Sequence, residues 1–104
     1  MSASDQTLVR LQNWYRSVCN GDWEHTYGVF IDNIDNPGWR LQIDLTGTYL
    51  DGVAFDAIEI HRENVENWLV CKVEQGKFIA YCGPGNLVET LATFLDWAEK
   101  SDVR

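Results

Sequence analysis

Asp22-Trp23-Glu24-His25 places two carboxylates, an imidazole and an indole in four consecutive positions, the densest group of reactive side chains in the chain. A carboxylate and an imidazole together can transfer protons or ligate a metal ion. Contiguity works against both uses, because neighbours on an extended segment point apart and metal ligands must converge. A second group, Glu59, His61 and Glu63, shares one face if its segment is a strand. The same pattern is also that of a solvated strand face. Cys19, Cys71 and Cys82 have no close pair and no metal spacing, and each sits in an apolar pattern where a thiol behaves as a small hydrophobe. Gly83-Pro84-Gly85-Asn86 precedes a helical pattern and offers N–H groups to an anion, but it lacks the lysine and glycine spacing of a phosphate loop, so a helix cap is the simpler reading. No catalytic residue, metal site or cofactor is expected from these groups.

The charge is more informative. The 104 residues carry a net −8, and residues 22–66 hold ten carboxylates against Arg40 and Arg62, which accounts for all of it. Such a field opposes nucleic acid and anionic membranes and favours a basic partner, although acidity also serves solubility alone. No apolar run reaches the roughly 20 residues that cross a bilayer. The MSASDQT start lacks the regions of a secretory leader, and an odd number of cysteines suits a reducing compartment. A cytoplasmic protein of one domain, residues 1–104, is expected.

The elements that position these groups are legible from periodicity. Residues 4–20 read as a helix with Leu8, Leu11, Tyr15, Val18 and Cys19 on its buried face and Trp14 at the margin. Residues 22–27 read as a connection. Residues 28–34 and 39–45 read as a hairpin around Asn36-Pro37-Gly38-Trp39, a type II turn with glycine at the position of positive φ. Trp39, Leu41, Ile43 and Leu45 alternate with Arg40, Gln42 and Asp44. Gly47 marks a bulge or bend before pairing resumes at Tyr49-Leu50. Residues 55–62 form a further strand candidate, and 68–73 with 77–82 a last hairpin. A Gly76-Lys77 loop there would set Cys71 opposite Cys82, and a Gln75-Gly76 loop would place them diagonally. Asn86 caps a final helix with Leu87, Leu91, Phe94, Leu95 and Ala98 on its buried face. The resulting class is α+β, a single antiparallel sheet of four to five strands with an N-terminal and a C-terminal helix packed on one face.

Several strings carry a family resemblance: Trp14-Tyr15, then Cys19-Asn20-Gly21-Asp22-Trp23-Glu24-His25, Tyr27-Gly28, Asp35-Asn36-Pro37-Gly38-Trp39, Ile43-Asp44-Leu45 with Gly47-Thr48, Trp68-Leu69-Val70-Cys71, and Phe94 with Trp97. On these the chain resembles the immunity protein 53 family of bacterial polymorphic toxin systems, from about residue 8 to 97. The GDWEH and DNPGW strings are the most specific part. The resemblance implies an α+β cytoplasmic protein, not an enzyme, that binds and neutralises a cognate toxin.

Charge and resemblance together point to a basic, nuclease-like toxin domain, since such domains hold phosphates with lysine and arginine. The expected partner-binding residues are Asp22, Trp23, Glu24, His25, Asp32 and Asp35, which flank one hairpin and its entry, with Glu59 and Glu63 as a second patch. Trp23, in a polar connection, is expected to be an exposed anchor, and Trp39 core. The alternative is a small enzyme or small-molecule-binding domain with a pocket around Trp23, Glu24, His25 and Trp39; a third is an adaptor without inhibitory action. Converging carboxylates in a concave pocket would favour the enzyme, and a flat acidic surface the inhibitor.

Overall fold

The alternation over residues 39–45 settles which side of the sheet is covered. In the computed structural model, which describes residues 3–102, Leu41, Ile43 and Leu45 are buried, while Arg40 and Gln42 on the opposite face stay partly open to solvent. Arg40, Leu41, Gln42 and Ile43 belong to β2 (Gly38–Asp44), with Leu45 just past its end, and β2 is the second strand of a five-stranded antiparallel sheet with β1 (Val29–Ile34), β3 (Ile58–His61), β4 (Trp68–Glu74) and β5 (Lys77–Cys82). The order across the sheet is β1-β2-β5-β4-β3. Register brings Leu41 opposite Ile31 and Ala80, and Ile43 opposite Val29 and Phe78, so that one face gathers the apolar side chains of every strand. The helices α1 (Ala3–Val18) and α3 (Leu87–Ser101) cover that face through Trp14, Val18, Leu91, Phe94, Leu95 and Ala98. This is the expected α+β class, with the count of strands resolved at five. Among the described residues no helix is long and apolar enough to cross a membrane.

Aromatic contacts join the layers, edge-to-face between Phe94 and Trp14 and tilted between Phe94 and Phe78. Phe94 of α3 lies 5.0 Å from both Trp14 of α1 and Phe78 of β5, centroid to centroid. The 45–57 segment crosses from β2 to the far edge and is clasped by α3. Tyr49 donates its hydroxyl to the Ala98 carbonyl at 3.0 Å, and Trp97 donates its indole N–H to the Ala54 carbonyl at 2.9 Å. Leu50 is buried within this crossing, so its pairing as a strand is not realised.

Four local expectations are corrected. The packed stripe of α1 is Thr7, Trp14 and Val18, with Leu11 half-buried, whereas Leu8 and Tyr15 are exposed. A helix lying against one neighbour buries a narrower stripe than its apolar pattern offers. Residues 23–26 are one helical turn, α2 (Trp23–Thr26), and not an extended connection. The third strand starts at Ile58 rather than at 55, and Glu63 falls outside it. The first hairpin turns on Asp35, Asn36 and Pro37 with a cis Asn36–Pro37 bond, and Gly38 already pairs with Ile34 without positive φ. Glycine is needed at 38 for another reason: a Cβ there would strike the Cys82 carbonyl of β5.

The open question of the last hairpin is answered by Glu74 pairing with Lys77. The loop is Gln75-Gly76, both at positive φ (53° and 75°), the backbone of a type I′ turn. Cys71 therefore sits opposite Ala80 and Cys82 opposite Leu69, and both thiols are free.

Candidate partner-binding surface

The residues expected to meet a partner divide between structural and exposed roles. Trp23 is 3% exposed, packed edge-on to Trp14 and Tyr15, so the exposed anchor expected there is not found. The one-turn helix α2 causes this, because it swings the indole inward from a connection that would otherwise have left it in water. Its start is held by reciprocal caps. The Asn20 side-chain oxygen accepts the N–H groups of Asp22 and Trp23, both at 2.9 Å. The Glu24 carboxylate accepts those of Asn20 at 2.9 Å and Gly21 at 2.8 Å. With its own N–H, these bonds hold the Glu24 carboxyl below the usual carboxylate range. Asp22 and His25 remain exposed at the same end of the sheet.

Asp32 is exposed on the uncovered face of β1, 3.3 Å from Arg40 directly opposite on β2. Asp35 lies in the turn at the far end of β1, about 20 Å from the Asp22 end by strand rise. Glu59 is on β3, the opposite edge, about 19 Å from β1 across four strand spacings. Its partner is His61 at 3.1 Å. Glu63 follows in the exposed loop after β3. The chosen acids thus spread along both ends and both edges, and no single cluster gathers them.

What the carboxylates lack is cations. Asp22, Asp35, Asp51, Asp56, Glu63 and Glu66 are exposed and make no ion pair among the described residues. Arg62, one of two arginines in this acidic stretch, reaches outside it to Glu89 of α3 at 2.7 Å. That fork holds the Glu89 carboxyl low, and Arg10 is similarly engaged by Asp96 and Glu99, both at 2.8 Å.

The pocket expected around Trp23, Glu24, His25 and Trp39 is not formed, because Trp23 and Trp39 lie at opposite ends of β2. Trp23 lies against Gly47, just past the end of β2, while Trp39 opens that strand at its other end and donates its N–H to the Pro84 carbonyl at 3.0 Å. Among the described residues no three His, Cys, Asp or Glu side chains form a group able to hold a metal. Two larger hollows lie elsewhere. One, of about 630 Å³, is lined by Asn36, Pro37, His61, Val65, Glu66 and Trp68, with the Trp68 ring stacked on His61 at 6.4 Å. The other is a groove of about 420 Å³ between α1 and β1, walled by Leu11, Tyr15, Tyr27, Val29 and Phe30.

Apolar surface beside that groove was not anticipated. Phe30 and Ile31 are 47% and 38% exposed, and Leu8 and Tyr15 of α1 are exposed as well. A signal was present: Val29, Phe30 and Ile31 are consecutive, and on a sheet covered on one face three neighbours cannot all point inward.

No curated protein and no solved structure matches the chain. The family profile of immunity protein 53 matches residues 8–99. With most of the chain covered by that match, the protein belongs to the immunity protein 53 family.

Proposed function

We propose that this protein neutralises a cognate toxin of a polymorphic toxin system in the cytoplasm by binding it, without catalysis, and that the toxin domain is basic and nuclease-like. Family membership supports the immunity role. The observation that carries the rest is the set of exposed carboxylates without cations among the described residues, Asp22, Asp35, Asp51, Asp56, Glu63 and Glu66. Exposed charges of one sign draw an oppositely charged partner into encounter and raise the association rate more than the lifetime of the complex. Asp32 and Glu59, with only exposed partners, add to the same field. Glu24 and Trp23 support the loop that presents Asp22 and His25.

The test is association and dissociation kinetics with the toxin domain encoded beside this chain's gene, at several salt concentrations. Association should slow with salt, since exposed charges are screened beyond about 8–10 Å at physiological ionic strength. Neutralising Asp22, Asp32 and Asp35 together should slow it at low salt. Association indifferent to both would overturn the acidic mechanism. Absence of any complex would overturn the immunity reading.

A further inference from the structure

The two edges of the sheet are not alike. β3 is four residues long, carries Glu59 and His61, and is followed by Arg62 and Glu63, the short and charged form that discourages pairing. β1 is six residues long with a single charge, Asp32, no proline and no lysine. Phe30, Ile31, Asp32 and Asn33 are exposed in succession whichever face they point to, which marks an edge that no described residue covers.

The hydrogen-bond phase shows what that edge offers. Asp44 donates its N–H to the Gly28 carbonyl at 3.1 Å, so Gly28 and Asp44 are a bonded pair. Antiparallel pairs alternate between bonded and non-bonded, so Phe30, Asp32 and Ile34 bond to β2 while Val29, Ile31 and Asn33 turn their N–H and C=O groups outward. No backbone bond is made to those outward groups among the described residues. Three donors and three acceptors at strand spacing fit an extended backbone, and the apolar groove walled by Leu11, Tyr15 and Val29 opens beside them.

We propose that β1 is the docking edge for the toxin: an extended, basic segment of the toxin adds to the sheet as a sixth strand. This rests on the toxin-binding role proposed above. The segment bonds to Val29, Ile31 and Asn33, places an apolar side chain in the α1–β1 groove, and sets lysine or arginine near Asp32, with Asp22 and Asp35 at the two ends of the strand. Charge selects this occupant over a second copy of the chain, because two molecules at −8 each repel whereas a basic segment is attracted. The strand supplies the lifetime of the complex and the carboxylates supply the encounter.

The experiment compares amide hydrogen exchange of the free protein with that of its complex with the toxin domain from the neighbouring gene, alongside affinities for the parent and Ile31→Pro. Proline at 31 removes an outward N–H and none of the bonds to β2, as edge strands tolerate. Protection of the Val29, Ile31 and Asn33 amides in the complex is expected, with at least a tenfold loss of affinity in a folded Ile31→Pro. Should that variant not fold, the exchange pattern of the parent alone decides. A complex that leaves those amides exchanging freely would overturn strand addition while the inhibitor reading stands. Concentration-dependent protection in the free protein, with dimer in sedimentation, would overturn it in favour of a second copy. No complex at all would remove both.

Discussion

The Trp23 indole stands edge-on to that of Trp14, ring centroids 6.1 Å apart and planes at 88°, and neither N–H has an acceptor among the described residues. The two indoles pack the α1–α2 corner by shape and dispersion, beside the backbone caps that Asn20 and Glu24 supply. Trp23→Ala should cost about 3–5 kcal/mol of stability, as large aromatic truncations do. Trp23→Phe should cost less than half of that, since it keeps an aromatic edge and removes a buried donor whose isolation costs about 1–3 kcal/mol. Urea unfolding of the two variants separates these outcomes. Equal losses would mean that the indole N–H has a partner after all.

Asn86 occupies the position before α3 but does not cap it with its side chain. Its oxygen accepts the Trp68 N–H at 3.2 Å, and its amide donates to Asn67 at 2.8 Å and Glu89 at 3.1 Å. Asn86→Ala should therefore destabilise by about 1–3 kcal/mol, the range for stranding buried polar groups. Exchange of the Trp68 amide should accelerate with it. An Asn86→Ala protein that keeps Trp68 protected would show that β4 is held without this side chain.

Acid should weaken the fold through Glu24 and Glu89. Backbone N–H groups lower the first carboxyl, and the Arg62 guanidinium lowers the second. A carboxyl lower in the folded than in the unfolded state contributes stability above its unfolded pKa of about 4.3, and loses it as pH falls through the folded value. Melting temperature should thus decline below about pH 4–5 in the parent and decline less steeply in Glu24→Gln and Glu89→Gln. Parallel curves for parent and variants would reject these two groups as the source.

Thiol chemistry reports the core. Burial pushes Cys71 up to about 12, and burial also raises Cys82 despite the Thr90 hydroxyl and the Trp39 backbone N–H beside it. Thiolates are the reactive form, so both should resist an aromatic disulfide reagent at pH 8 in the native protein. Cys19, only half-buried, should react natively, and all three should react in denaturant. Rapid native labelling of Cys71 would contradict its place beneath the helices.

Local pattern determined much of this protein. Alternation at Leu41, Ile43 and Leu45, the stripe of Leu91, Phe94, Leu95 and Ala98, and the turn residues Gln75-Gly76 each act over a few positions, so their consequences survive whatever the rest of the chain does. The excess of carboxylates between residues 22 and 66 is likewise present in the sequence before any folding. Tertiary structure decided what depends on distant partners. Gly38 is required by the Cys82 carbonyl, which is 44 residues away in the chain and beside it only because β5 inserts next to β2. Trp23 is core because Trp14 and Tyr15 receive it, which no spacing within GDWEH encodes. The spread of Asp22, Asp35 and Glu59 to the ends and edges of the sheet follows from the β1-β2-β5-β4-β3 order. The free edge of β1 follows from it too. A strand's own residues set its propensity to pair, but which strand is left without a neighbour is set by all the others.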